Sequence, residues 1–110
     1  MRDFLLNLIK QWQEASEEAT LLRFHLRDKK LEQIEMESEV DLEVAFNEEL
    51  KNEGQRKAKR WELLQQRGWV ELQREINELE REVALKEIEA ERISRELRVW
   101  MAYGKEDDEK

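Results

Sequence analysis

Asn52-Glu53-Gly54-Gln55 is the stretch that decides the fold, since it separates two long helical patterns near the middle of the 110-residue chain. Gly54 is one of three glycines, and the chain contains no proline. Apolar residues recur at spacings of three and four over residues 2–52 and again over residues 56–103, which predicts a helix on each side. We therefore expect a turn near residues 53–55, with Gly54 as the C-cap of the first helix.

The first pattern fits a heptad repeat closely. From Leu5 to Leu26 every seam position is apolar, which predicts one buried helix face. A second apolar stripe then begins, and the five-residue step from Leu26 to Leu31 interrupts the alternation of three- and four-residue spacings. A continuous helix that changes its buried face explains this step. A break near Asp28, with that residue capping a new helix, is the alternative.

The second pattern alternates apolar residues by three and four from Leu72 to Trp100, with Lys86 as a polar interruption. Lys29 interrupts the first seam in the same way. A lysine can bury its aliphatic stem and extend its ammonium group to water, so we expect both helices to tolerate these residues. Gly68 predicts a kink or the end of a short helix.

Together the two patterns predict an all-α fold, a long antiparallel helical hairpin of coiled-coil type occupying residues 1–104. Facing residues then pair apolar with apolar: Leu8 with Leu97, Ala15 with Ile93, and Met36 with Trp69 or Leu72. Gly104 predicts the end of the second helix, and residues 105–110 form a charged C-terminal tail.

A lone hairpin leaves a second apolar stripe on each helix without a partner. Long exposed stripes mark interaction surfaces, and two-fold dimers are the commonest way to cover them. We expect two hairpins to form a four-helix bundle; a monomeric three- or four-helix bundle with breaks near Asp28 and Gly68 is the alternative. The predicted oligomer interface comprises Phe24, Leu31, Ile34, Leu42, Leu63, Val70, Leu85 and Ile88.

Charge is distributed unevenly beside the seam. Charged residues make up 44% of the chain, and the net charge is −8. One flank of the second helix carries glutamates spaced one heptad apart, which predicts a docking strip for a basic protein and repulsion of nucleic acid. The predicted docking residues are Glu75, Glu82, Glu89 and Glu96.

Cations cluster around the predicted turn, with Trp61 and Trp69 nearby. Cations beside aromatic rings can hold phosphate and stack on bases, so a nucleic-acid-associated protein is the second functional hypothesis. This basic tip comprises Lys51, Arg56, Lys57, Lys59 and Arg60.

The sequence offers little for enzyme chemistry. His25 is the single histidine, the chain has no cysteine, and the isolated glycines form no phosphate-binding loop. Glu14, Glu17 and Glu18 are similar to the first acidic motif of the all-α nucleotide pyrophosphohydrolases. The second motif, an Asp three residues after a Glu, has no counterpart, because Ser38 precedes Asp41 at that spacing. A magnesium-dependent all-α nucleotide hydrolase is therefore the third hypothesis only.

The sequence thus favours a non-enzymatic protein-interaction module, an acidic hairpin that self-associates as an adaptor, assembly factor or small inhibitor. We expect a homodimer with no catalytic residue, no cofactor and no metal. The apolar run near Met1 is too short to span a membrane and lacks a signal-peptide cleavage site, so we expect a cytoplasmic protein without a transmembrane segment.

Overall fold

The computed structural model describes residues 1–108, and the side chains of residues 1–103. Over that range every regular element is helical: α1 spans Arg2–Ala45, α2 spans Glu53–Gln66, and α3 spans Trp69–Asp108. Contacts divide the chain into two units. The first, unit 1, is Met1–Phe24 with Glu80–Lys110, and the second, unit 2, is His25–Leu79.

Helix α1 is continuous through Asp28, so the alternative of a break there is wrong. Neither glycine nor proline occurs between Arg2 and Ala45, and nothing in that stretch removes a backbone hydrogen bond.

The end of α1 comes seven residues earlier than predicted, at Ala45 rather than Asn52. Residues 46–52 form the connection, in which the Asn47 side chain accepts a hydrogen bond from the backbone N–H of Glu49 at 3.0 Å. This local bond competes with continuation of the helix, as asparagine side chains commonly do.

Gly54 does not cap α1, and the prediction of a turn at residues 53–55 is wrong, because Gly54 lies in the first turn of α2. Asn52 is the N-cap of that helix, with extended backbone and a side-chain oxygen that accepts from the N–H of Gln55 at 2.8 Å. Gln55 in return accepts from the N–H of Lys51 at 2.8 Å, so two backbone donors at the helix start are satisfied.

We expect Asn52→Ala to lower the free energy of unfolding by about 1 kcal/mol, because the N–H of Gln55 loses its acceptor. Urea unfolding followed by circular dichroism measures this change. Asn7→Ala is the matched control, because Asn7 is exposed inside α1 and its replacement leaves every cap intact. Equal effects of the two changes would show that the Asn52 cap contributes nothing.

Gly68 separates α2 from α3, so the predicted helix over residues 56–103, with a kink or a helix end expected at Gly68, is two helices. Its φ of +85 is left-handed, a conformation that glycine adopts at little cost. The N–H of Gly68 donates to the carbonyl of Gln65 at 3.2 Å, and that of Leu72 to the carbonyl of Gly68 at 3.1 Å. The chain thus ends one helix and begins the next with its backbone groups bonded.

Gly104 does not end α3, which continues to Asp108. One glycine inside a helix costs only about 1 kcal/mol relative to alanine, and the charged residues after it are compatible with helix. The predicted tail at residues 105–110 is therefore helical as far as Asp108, and residues 109–110 lie outside the described part of the chain.

Unit 1 has a core between the first half of α1 and the second half of α3. Leu8, Ala15, Ile93 and Leu97 are buried together, with Trp100 among the side chains packed against them. The Trp100 ring also meets Phe4 edge to face, with centroids 5.3 Å apart. Because Leu8 lies with Leu97 while Arg23 contacts Glu87, the two helices run antiparallel within this unit.

Unit 2 has its own core. Val40 and Val44 of α1 are buried with Leu64 of α2, and Met36 and Trp69 are among the side chains that pack against them. The grouping of Met36 with Trp69 agrees with the predicted pairing. Fully burying a side chain such as Leu64 stabilises a fold by about 1.5–3 kcal/mol.

Candidate interaction surfaces

Lys29 in unit 2 and Lys86 in unit 1 are the two lysines that interrupt the apolar seams. Each contacts one carboxylate of the opposite helix and one of its own helix. In unit 1, the Lys86 ammonium lies 2.7 Å from Glu18 of α1 and 3.3 Å from Glu89 of its own helix. In unit 2, the Lys29 ammonium lies 3.2 Å from Glu75 of α3 and 3.6 Å from Glu32 of its own helix.

Each lysine stem is partly covered while its ammonium group joins carboxylates of two helices, as predicted for residues that interrupt a seam. The hydrogen bond to Glu75 raises the pKa of Lys29, and that to Glu18 raises the pKa of Lys86. The charged forms are therefore the ones that the folded chain favours.

These pKa shifts predict a loss of stability at alkaline pH. A raised folded pKa means that the stabilisation is complete below the usual value of 10.5 and disappears as the pH rises through the folded value. We expect the double variant Lys29→Met with Lys86→Met to lose less stability than the wild type between about pH 9 and pH 12. Unfolding in urea at each pH measures the difference, and parallel curves for the two proteins would contradict the assignment.

The predicted acidic docking strip is partly neutralised. Glu75 is one of the two carboxylates that contact Lys29, and Glu89 is one of the two that contact Lys86. Among the described side chains, Glu82 and Glu96 form no ion pair. These two glutamates are therefore the part of the strip that can meet a basic partner without first losing an internal contact.

The basic tip is largely occupied by internal carboxylates. Arg60 contacts Asp41 at 2.6 Å, Lys57 contacts Glu53 at 3.9 Å, and Lys59 contacts Glu62 at 3.6 Å. Arg67, just beyond the tip, holds Glu39 and Glu43 at 2.9 and 2.8 Å. A phosphate would have to compete with these carboxylates for most of the cations.

The two tryptophans near the tip pack on protein. Their ring centroids are 5.9 Å apart in an edge contact, and the Trp69 indole N–H donates to Glu37 at 2.9 Å. Trp69 belongs to the packing around the core of unit 2, whereas Trp61 stays about half exposed. Of the two rings predicted to stack on bases, Trp69 therefore packs within the fold.

Most of the predicted oligomer interface is exposed. The exposed members are Phe24, Leu31, Ile34, Leu42, Leu85 and Ile88. Leu63 and Val70 are only half-buried, and Leu63 packs against the core of unit 2. Leu63 therefore contributes in part to folding.

In unit 1 four of the exposed apolar residues, Leu21, Phe24, Leu85 and Ile88, lie away from the core. At about 100° per residue, Phe24 is about 160° around α1 from Leu8, and Ile88 is about 140° around α3 from Val83. We call these sides the α1 outer face, with Leu21 and Phe24, and the α3 outer face, with Leu85 and Ile88. Because the core lies between the helices, the two outer faces of this unit point in opposite directions.

Sequence reasoning missed three exposed apolar residues on these sides, Leu6, Leu21 and Val99. Helical spacing could have found Leu21, which lies three residues before Phe24. Arg81 and Arg92, the arginines of the α3 outer face, were also not among the predicted site residues.

His25 is exposed on α1. Among residues 1–108, no three histidines, cysteines or acidic residues come together in a group that could hold a metal ion. The expectations of no catalytic residue and no cofactor stay predictions.

No protein-family model, curated protein or solved structure matches this chain. None of the helices described here has the length and apolar character needed to cross a membrane.

Proposed function

We propose that this protein is a non-enzymatic interaction module, an antiparallel helical hairpin that binds further copies of itself through its apolar outer faces. The observation that carries the proposal is the exposure of large apolar side chains directly away from the core. Phe24 is 56% exposed, Leu85 55% and Ile88 64%. Apolar residues aligned in this way on charged helices mark sites of protein association.

The same module can present its remaining free carboxylates to a basic protein. Glu82 and Glu96 lie on one flank of α3, where they form no ion pair among the described side chains. An adaptor or assembly factor needs two such surfaces, one for its own copies and one for another protein. Neither the nucleic-acid hypothesis nor the magnesium-dependent hydrolase gains support from a specific contact.

We expect Phe24→Glu and Ile88→Glu each to lower the mass of the assembly toward the 13.5 kDa of one chain. A carboxylate buried at an apolar interface without a partner costs several kcal/mol, whereas both side chains are exposed in the single chain. Sedimentation equilibrium measures the mass, and circular dichroism checks that the helices remain.

The matched control is Gln65→Glu, which adds the same charge at an exposed position of α2. It should leave the mass of the assembly unchanged. If both test variants sediment like the wild type, the outer faces are not the association surface.

A further inference from the structure

The two outer faces of unit 1 carry unlike charges beside their apolar residues. On α1, Glu17 lies one turn before Leu21 on the same side of the helix. Lys10, a cation on that side, lies two turns before Glu17. On α3, Arg81 and Arg92 lie one turn to either side of Leu85 and Ile88. Glu89 and Glu96 lie toward one edge of this face, about 40° and 20° around the helix from Leu85, and Glu91 lies about 60° from Ile88 toward the other edge.

These charges are available to a neighbour. Among the described side chains, Glu17, Arg81 and Arg92 form no ion pair within the chain. Arg95, by contrast, forms an ion pair with Glu91 at 3.1 Å. An unpaired carboxylate on one outer face and unpaired guanidinium groups on the other are complementary.

The two outer faces also lie at the same level along the helix axes of unit 1. Arg23 of α1 contacts Glu87 of α3 at 2.7 Å. Leu21 and Phe24 are within two residues of this ion pair on one helix, and Leu85 and Ile88 are within two residues of it on the other. A second copy placed alongside without a shift therefore brings the first apolar pair against the second.

We infer that self-association is head-to-tail: the α1 outer face of one copy docks on the α3 outer face of the next. Leu21 and Phe24 then cover Leu85 and Ile88, Glu17 reaches Arg92, and Arg81 lies over the Phe24 ring as a cation–π pair. This inference rests on the proposed self-association and names its partner surface.

A symmetric dimer fits these faces less well. Pairing α3 with α3 at the same level would place Arg81 of one copy beside Arg92 of the other, and like charges directly opposite each other are destabilising. Pairing α1 with α1 would leave Leu85 and Ile88 exposed. A head-to-tail contact covers both faces and leaves one free face at each end, so it continues as a filament unless the rotation closes a ring.

The test uses two variants, each with one face disabled. The α1-face variant carries Leu21→Glu and Phe24→Glu; the α3-face variant carries Leu85→Glu and Ile88→Glu. We expect each alone to sediment as a monomer, because every contact needs one intact face of each kind. Mixed in equal amounts, they should form a 1:1 dimer of twice 13.5 kDa, because each supplies the face that the other lacks.

Other results overturn the inference in distinguishable ways. If one variant alone still associates, the contact is a symmetric pairing of the intact face or lies on another surface. If the wild type associates while the mixture stays monomeric, each copy uses both of its outer faces in one contact, and the proposed function survives without this geometry. A monomeric wild type removes both proposals.

A charge exchange tests the same contact without altering the apolar residues. Glu17→Arg and Arg92→Glu should each weaken association by about two- to fivefold, the size of an exposed ion pair. Combining both changes in one chain should restore the affinity, because the altered α1 face meets the altered α3 face of the next copy. Additive weakening in the double variant would overturn the pairing.

Discussion

We expect Leu64→Ala to lower the free energy of unfolding by about 2–5 kcal/mol, the largest effect of any single truncation considered for this protein. Leu64 is only 2% exposed and is buried with Val40 and Val44. Its truncation leaves a cavity between α1 and α2 that neighbouring side chains fill only in part. Urea unfolding followed by circular dichroism at low protein concentration gives the change.

Leu42→Ala is the matched control for this experiment. The substitution is chemically identical, yet Leu42 is 59% exposed, so we expect a change within about 0.5 kcal/mol. A loss of stability as large as that of Leu64→Ala would show that the exposed stripe of α1 is covered within the single chain.

Ala19→Leu should lower the free energy of unfolding by about 1–3 kcal/mol through overpacking. Ala19 is 1% exposed and lines the contact between α1 and α3 in unit 1, where Ala90 lies on the opposite helix. A larger side chain has to push the helices apart or leave its preferred rotamer. Ala58→Leu, at an exposed position of α2, should change stability by less than about 0.5 kcal/mol. Tolerance of Ala19→Leu would contradict the close helix contact.

The seam residues were predictable from the sequence because burial follows helical periodicity. Leu8, Ala15, Ile93 and Leu97, predicted to face one another, form one buried cluster. Lys29 and Lys86 were expected at the edge of the seam because their stems are apolar and their ends charged, and the structure confirms this.

The connection between α1 and α2 was placed wrongly because glycine was given more weight than asparagine. Asn47 and Asn52 provide the side-chain acceptors that end one helix and begin the next, while Gly54 is an ordinary helical residue. Asparagine at an N-cap is a signal present in the sequence. At Gly68, by contrast, the positive φ requires glycine, and the break was anticipated as a kink or a helix end.

Charge pairs were harder to predict than apolar ones. The contact of Arg23 with Glu87 joins two long helices that pack along their length, but that of Arg60 with Asp41 depends on where α2 begins and how it packs on α1. Long side chains reach partners up to two turns away, so small errors in helix boundaries change the pairing. The basic tip therefore looked free in the sequence and is mostly paired in the fold.

Sedimentation equilibrium of the wild-type chain, from about one to one hundred micromolar, tests the central claim of self-association most directly. We predict an average mass that exceeds the 13.5 kDa of one chain and rises with concentration. A single species of 13.5 kDa over the whole range would contradict self-association through the outer faces.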